Sequence, residues 1–401
     1  MSIVSVLLLI TMLAVGGAAR HLAAVKTDPS DAAAMQAIAK STRADEAVGW
    51  GKKSADPCDG TWAGVRCDMG RVTSINASRG GLIGRLNGTD LSKLAFLTDL
   101  DLSFNGLRND VPVLPTPLPR LVSLNLRSNS FSDIPVGFFA GFPALETFAV
   151  DDNDMIFPTI SRDDVLKCSK LRSFSANNAS IFGVLPNYFG NTTLFPALET
   201  LSLARNQFTG VVLAGFGYKS NIKYLDIGGQ HDSDGIGRST LIGSLDLFIP
   251  DMENLVEARF DHNALIGPAL NATKLVNLRV FDASYNDLCG VPKFAEGIML
   301  YFNSGSVTFG GGALLSDRQG GDLHSGAFPF SPRPASGHVV CLLRTGFDGQ
   351  CGSLLSDGQV GALHSGGQAW PPPPSTPPSA CARTRTRLWP SALHAAQTRL
   401  S

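Results

Sequence analysis

The chain lacks a charge imbalance, a second long apolar run and any clustered set of metal ligands. Lys plus Arg number 33 against 34 for Asp plus Glu, a formal net charge of -1 over 401 residues. That balance excludes a general attraction to nucleic acid or to anionic membrane. Charged residues make up 17 % of the chain and apolar ones 44 %, a composition that can bury a core. None of the seven cysteines shows the paired spacing of a zinc site. There is no glycine-rich phosphate loop with a partner lysine, no His-Arg-Asp and no Asp-Phe-Gly, so these residues hold no kinase machinery. Past the N-terminus, no stretch approaches the length needed to cross a bilayer.

What is present begins with an apolar segment, Ile3 to Val15, followed by the small residues Gly17 and Ala19. Residues 1–19 therefore read as a secretory signal peptide, although the usual basic residue before the apolar run is missing. The alternative is an uncleaved membrane anchor; after cleavage no membrane span is expected. Cys58 and Cys67 lie close together, and an oxidising compartment favours a bridge between them. Five Asn-x-Ser/Thr triplets, at Asn76, Asn87, Asn178, Asn191 and Asn271, fit the same secretory route and are expected at the surface.

The centre of the chain repeats itself. "LTDLDLSFNGL", residues 97–107, recurs with Leu100, Leu102 and Asn105 matched by Leu124, Leu126 and Asn129, then Phe148, Val150 and Asn153. Further copies place Phe174, Leu201, Leu225, Ala258 and Phe281 at the first of these positions, with successive offsets of 24, 24, 26, 27, 24, 33 and 23. This is a leucine-rich repeat. "RVTSINASRGGLIG" reads as a degenerate first copy, and the long offset marks a loop-like insert at 231–240. In each copy two apolar residues alternate on a short strand and point inward. The Asn amide can both donate and accept, so stacked Asn105, Asn129 and Asn153 are expected to form an internal ladder. One coil cannot cover its own apolar face, and stacking makes a continuous core. The expected fold is an α/β repeat solenoid, a horseshoe with short parallel strands on its concave face, over residues 71–293.

Before the repeats, residues 28–70 have their own pattern. Ser30 is a candidate helix N-cap, with Met35 and Ile38 on one helical face. Trp50, Pro57, Cys58, Trp62, Gly64, Val65 and Cys67 match the plant-type cap of such solenoids, with one extra residue before Trp62. After residue 303 the composition turns to Gly and Ser, then to Pro371–Pro374. Residues 311–326 and 351–366 share 11 of 16 identities, but nothing in 304–401 is patterned to fold, and the segment is expected to be disordered.

With "DAAAMQAIAKS", "GWGKKSADPCDGTWAGVRC", "LRSFSANNASIFGVLPNYFG" and "LCGVPKFAEGI" in view, the chain resembles the extracellular part of plant leucine-rich-repeat receptor-like kinases, nearest the transmembrane kinase (TMK) subfamily. The resemblance runs over roughly residues 28 to 303, its end at 294–303. It implies a cell-surface or secreted protein that takes a protein or peptide ligand, with a co-receptor kinase as a further partner. The membrane helix and kinase of that family do not follow in this sequence, so the chain reads as a truncated ectodomain.

The partner-binding face is expected between the leucines, at the outward strand positions Asp99, Asp101, Phe104, Arg127, Asp151, Tyr224, Asp226, Glu257, Arg259, Asp261, Asp282 and Tyr285. Acids exceed bases there, which favours a basic partner segment. His262 beside Asp261, with Asp226 and Asp282 on flanking coils, would suit acid–base chemistry. Their repetition is better read as a solvated face, because no nucleophile motif or metal cluster accompanies them. A non-catalytic protein without cofactor is expected. An inhibitor of a secreted enzyme, of the polygalacturonase-inhibitor type, and a non-functional gene fragment are the alternatives.

Overall fold

The computed structural model describes residues 26–302 except 156–159, 214–215, 232–240, 268–269, 289–291 and 296–297, together with the strands Ala313–Leu314 and Val339–Leu342. The segment 1–19 expected to be a signal peptide, the insert beyond His231 and the rest of 304–401 lie outside the described residues. The chain forms two compact units. One runs to Phe182 and takes in Leu194–Leu198; the other comprises Gly183–Thr193 and the chain from Glu199.

The N-terminal unit opens with a helix, Pro29–Ser41. Its N-cap is Asp28, whose carboxylate accepts from the N–H groups of Ser30 and Asp31, and not the expected Ser30. The reason lies in Pro29, whose fixed φ and missing N–H suit the first helical position and so place the cap one residue earlier. Met35 and Ile38 are buried on one face, as their spacing implies. Arg71 closes the helix onto the first repeat through paired bonds of its Nε and Nη2 to the fully buried Asp31 carboxylate, at 3.0 and 2.7 Å. Asp31 also accepts from the Val72 N–H, so the buried charge is both paired and hydrogen-bonded. Cys58 and Cys67 form the expected disulfide. Trp50 stacks on Trp62 at 5.7 Å between ring centroids, and each indole N–H donates to a backbone carbonyl.

Strand Val65–Asp68 pairs antiparallel with Arg71–Asn76. From there the pairing is parallel: Arg71–Asn76 with Asp99–Asp101, then Ser123–Asn125, Thr147–Ala149 and Ser173–Ser175. Each register matches like repeat positions, Leu100 to Leu124 to Phe148 to Phe174. The inward side chains of these strands are at most 2 % exposed, and each contributes about 1.5–3 kcal/mol of burial. Phe148 and Phe174 replace leucines, and Phe138, Phe139 and Phe142 surround them with ring centroids 5.0–6.2 Å apart.

In the C-terminal unit Thr200–Ser202, Tyr224–Asp226, Glu257–Arg259, Val280–Asp282 and Met299–Phe302 pair parallel in the same manner. Phe248, Phe260, Phe281 and Phe294 form a chain of rings inside it, with centroids 5.0–5.8 Å apart. Val339–Leu342 pairs antiparallel with Met299–Phe302, and Ala313–Leu314 pairs with Val339–Leu342. Both strands fall within 304–401, the segment expected to be without structure, and the rest of that segment lies outside the described residues.

The asparagine ladder is built as the repeat implies. Asn129 donates from Nδ2 to the carbonyls of Leu102, Leu126 and Arg127 and accepts the Leu107 N–H on Oδ1. Asn105, Asn153 and Asn286 repeat this scheme. Gln230 fills the place of an Asn and reaches the same groups, the Leu203, Ile227 and Gly228 carbonyls and the Phe208 N–H. Asn263 keeps its three donations, but among the described residues its buried Oδ1 has no donor. The equivalent donor lies two residues beyond the preceding ladder residue, and past Gln230 that position falls in the insert.

A second set of parallel strands was not legible in the leucine spacing. In the C-terminal unit Gln207–Val211, Leu241–Ser244, Ala264–Gly267 and Asp287–Leu288 pair in order, at the Gly-containing segments that follow the ladder residue. Gly243 and Gly267 have φ of 138° and 140°, a region that side chains rarely enter.

Candidate functional site

The strands set the geometry of the candidate face. In a parallel sheet like positions lie about 4.8 Å apart, so a column of outward side chains forms one surface. One further position recurs. The residue just before the ladder position is left-handed in every coil: Arg79, Phe104, Ser128, Asp152 and Asn178 in the N-terminal unit have φ of 49–56°. Arg205, His262 and Tyr285 repeat this in the C-terminal unit at 53–56°, with Gly229 at 67°. For Phe and Tyr this conformation is unfavourable, and it persists because the surrounding ladder holds it. It turns Phe104 and Tyr285 outward, and they are 37 % and 40 % exposed.

In the N-terminal unit Asp99 is exposed and Asp101 half-buried. Asp101 accepts from the N–H and the hydroxyl of Ser103, which holds the carboxylate at the strand end. Phe104 lies between two guanidinium groups, with Arg79 at 3.9 Å and Arg127 at 5.5 Å from its ring centroid. Arg127 also approaches Asp152 at 3.9 Å. Asp151 departs from the expected solvated position: it is 4 % exposed and accepts from the Ser175 hydroxyl and from the N–H and amide of Asn177. It is tied into the neighbouring coil instead of standing free.

The C-terminal unit concentrates charge. Register aligns Asp226, Arg259 and Asp282 side by side on three successive strands. Glu257, two residues before Arg259, accepts from its Nε and Nη2, both at 2.6 Å. Asp261 follows, its Oδ2 3.0 Å from the Nδ1 of His262. The His262 ring stacks on Tyr285 at 4.0 Å between centroids. Tyr224 is half-buried on the strand before. The expectation of a solvated acidic face fails here: Asp226, Glu257, Asp261 and Asp282 are 2–6 % exposed. Side chains on strands this close shield one another, and single-residue patterning carries no information about that.

Electrostatics follow from this packing. Burial pushes the Asp282 carboxyl above its ordinary range, and the Asp261 charge adds to the push; Ser284 and Arg259 oppose it. For Arg259 burial works against the charge, but Glu257, Asp226 and Asp282 outweigh it and hold the guanidinium above its usual value. Gly228 is an outward strand position whose lack of a side chain matters here. A Cβ there would lie 2.3 Å from the Asp261 Oδ1, so glycine leaves the room that this carboxylate occupies. Among the described residues no group of His, Cys, Asp and Glu is arranged to hold a metal ion. No described helix is long and apolar enough to cross a membrane.

All five sequon asparagines are exposed. At Asn76, Asn87, Asn191 and Asn271 the side-chain oxygen accepts the N–H of the Ser or Thr two residues on, at 2.8–3.4 Å. Asn178 differs, because its Nδ2 donates to Asp152.

Known proteins share this architecture. Residues 28–68 match the family described as the leucine rich repeat N-terminal domain. The receptor-like kinase TMK2 of Arabidopsis thaliana is 30 % identical over 272 residues, which take in 67 % of this chain and 29 % of TMK2. The chain thus spans under a third of that relative. The structure of PEPR1-AtPEP1 superposes with a TM-score of 0.52 at 27 % identity, over 65 % of this chain and 35 % of that one. The leucine-rich-repeat ectodomain of the Arabidopsis receptor kinase HAESA, in complex with a peptide hormone ligand, gives a TM-score of 0.51 at 21 % identity, over 67 % of this chain and 47 % of that one; this likeness is of fold. Cap and repeat make the chain a leucine-rich-repeat protein, similar over that region to the ectodomains of plant receptor kinases.

Proposed function

We propose that the chain is a non-catalytic extracellular recognition module that binds a protein or peptide partner on its strand face, as a receptor ectodomain does. The observation that supports this most is the left-handed position before each ladder residue, which turns Phe104 and Tyr285 outward beside charged neighbours. Aromatic side chains of this kind, with a nearby guanidinium, are the usual anchors of interfaces. The accessible acids, Asp99 and Asp101, add a preference for a basic segment. The peptide in the HAESA complex supports the same reading by analogy of fold. A co-receptor kinase as second partner, secretion, and N-glycans at Asn76, Asn87, Asn178, Asn191 and Asn271 belong to this proposal.

The test compares partners captured at the plant cell surface by the secreted chain and by strand-face variants. Phe104→Ala and Tyr285→Ala remove the anchors, and Asp99→Lys reverses an exposed charge. Val276→Lys, at a side chain 64 % exposed and away from the strands, is the control. Loss of a partner in the first three but not in the control is expected. An identical partner set in all four sinks the strand-face reading. Asp226 and Asp282 are poor choices for charge reversal, since a buried lysine there would test folding instead.

A further inference from the structure

We propose that Asn76 carries an N-linked glycan that stands on the strand face and shields Asp99 and Asp101 on one side, so that a partner reaches these acids from the side of the Ser123–Asn125 strand. The inference rests on the secretory part of the reading above. Asn76 lies within a strand of the candidate face, whereas Asn178 follows its strand and Asn271 belongs to a separate two-stranded sheet. Ile75 before it and Ala77 after it are buried, so alternation turns Asn76 outward. Its register partner on the next strand is Asp101, and Ser74, two residues back, pairs with Asp99. The glycan-bearing side chain therefore stands about 4.8 Å from the column that holds both acids. A branched oligosaccharide is much wider than that spacing.

The local geometry presents the right atom. The Asn76 Oδ1 is occupied by the Ser78 N–H at 3.2 Å, which turns the Nδ2 away from the backbone. No described group accepts from that Nδ2, whereas the Asn178 Nδ2 is engaged by Asp152. Modification breaks the bond between the anomeric carbon and the diphosphate of a polyprenyl-linked oligosaccharide donor. The diphosphate leaves with the electron pair, the carbon bonds to Nδ2, and Nδ2 releases one proton to water. Oδ1 keeps its hydrogen bond throughout, so the folded strand needs no rearrangement to carry the sugar. Asn87 provides an internal reference. It is an exposed sequon too, but it caps the helix Gly88–Leu91, outside the strands.

The experiment uses the full chain secreted from plant cells. Site-resolved glycopeptide mass spectrometry should find Asn76 and Asn87 both occupied. Carbodiimide labelling of carboxyl groups should then modify Asp99 and Asp101 several-fold more after native deglycosylation with a peptide-N-glycosidase that accepts plant core sugars. The Asn76→Gln chain should show the raised labelling without that treatment, and Asn87→Gln should not. An unmodified Asn76 beside an occupied Asn87 overturns this inference and leaves the secretory reading standing. Every sequon bare overturns both. Equal labelling of Asp99 and Asp101 with and without the sugar overturns the shielding even if Asn76 is modified.

Discussion

At the scale of single residues, the ladder asparagines do more than mark the repeat. Asn129 serves three carbonyls and one N–H, groups that belong to two coils. Asn129→Ala leaves them buried without partners, which costs about 1–3 kcal/mol for each unsatisfied group before relaxation. A loss of about 3 kcal/mol is expected from urea unfolding, with an unchanged slope. Asn263→Ala is expected to cost less than the same change at Asn129, because among the described residues no group donates to the Asn263 Oδ1 and one bond fewer is lost. Cys168 is a second residue whose role is set by burial. Its thiol donates to the carbonyls of Phe139 and Phe142, and burial, with the Asp164 charge, pushes its pKa up to about 12. Iodoacetamide should leave the Cys168 peptide unmodified in the native chain and modify it in denaturant. The raised carboxyl of Asp282 has a sign that can be checked. The folded state binds its proton more readily than the unfolded chain, so between the ordinary carboxylate pKa of 3.8 and the raised value stability falls as pH rises. Asp282→Asn keeps an oxygen for Ser284 and removes the charge. It should raise the melting temperature at pH 7, with the gain shrinking as pH falls toward 4.

At the scale of elements, legibility followed how local the cause was. The strands at Asp99–Asp101 and Ser123–Asn125 were readable because inward leucines and outward polar residues alternate within a single window. The cap helix was readable, but its N-cap was not, because Asp28 and Ser30 are equally good capping residues and only the position of Pro29 separates them. The second set of strands was not readable, since Gln207–Val211 and Leu241–Ser244 acquire partners only through stacking. The candidate face was legible as a set of positions. The burial of Asp226, Glu257, Asp261 and Asp282 was not, because it arises from neighbouring strands far away in sequence. The left-handed conformation of Phe104 and Tyr285 runs against their own preference and is imposed by the ladder. At the second set of strands Gly267→Ala is the informative change. Its φ of 140° and a Cβ 2.2 Å from the Ser244 Oγ make the substitution strained twice over. A loss of about 1–3 kcal/mol is expected by chemical unfolding.

At the scale of the whole molecule, a solenoid is as stable as its ends allow, because each coil contacts only its neighbours. The N-terminal end is closed by three devices in series: the Cys58–Cys67 bridge, the Trp50–Trp62 stack and the Asp31–Arg71 pair. The bridge spans a sequence separation of 9, and closing a loop of that size stabilises by about 3 kcal/mol in the chain-entropy account. Cys58→Ser with Cys67→Ser should therefore loosen the cap without removing its tryptophans or its ion pair. Exposure should then spread from the open end inward. Peptide-resolved hydrogen exchange is expected to rise first over Pro29–Ser41 and Arg71–Asn76, less over Asp99–Asp101, and least over Thr147–Ala149. The ladder supplies the reason for a graded response, since each Asn joins only its own coil to the one before it. A uniform rise across all four segments would mean that the unit opens as a single block, and that the cap guards the core as a whole and not only its first coil.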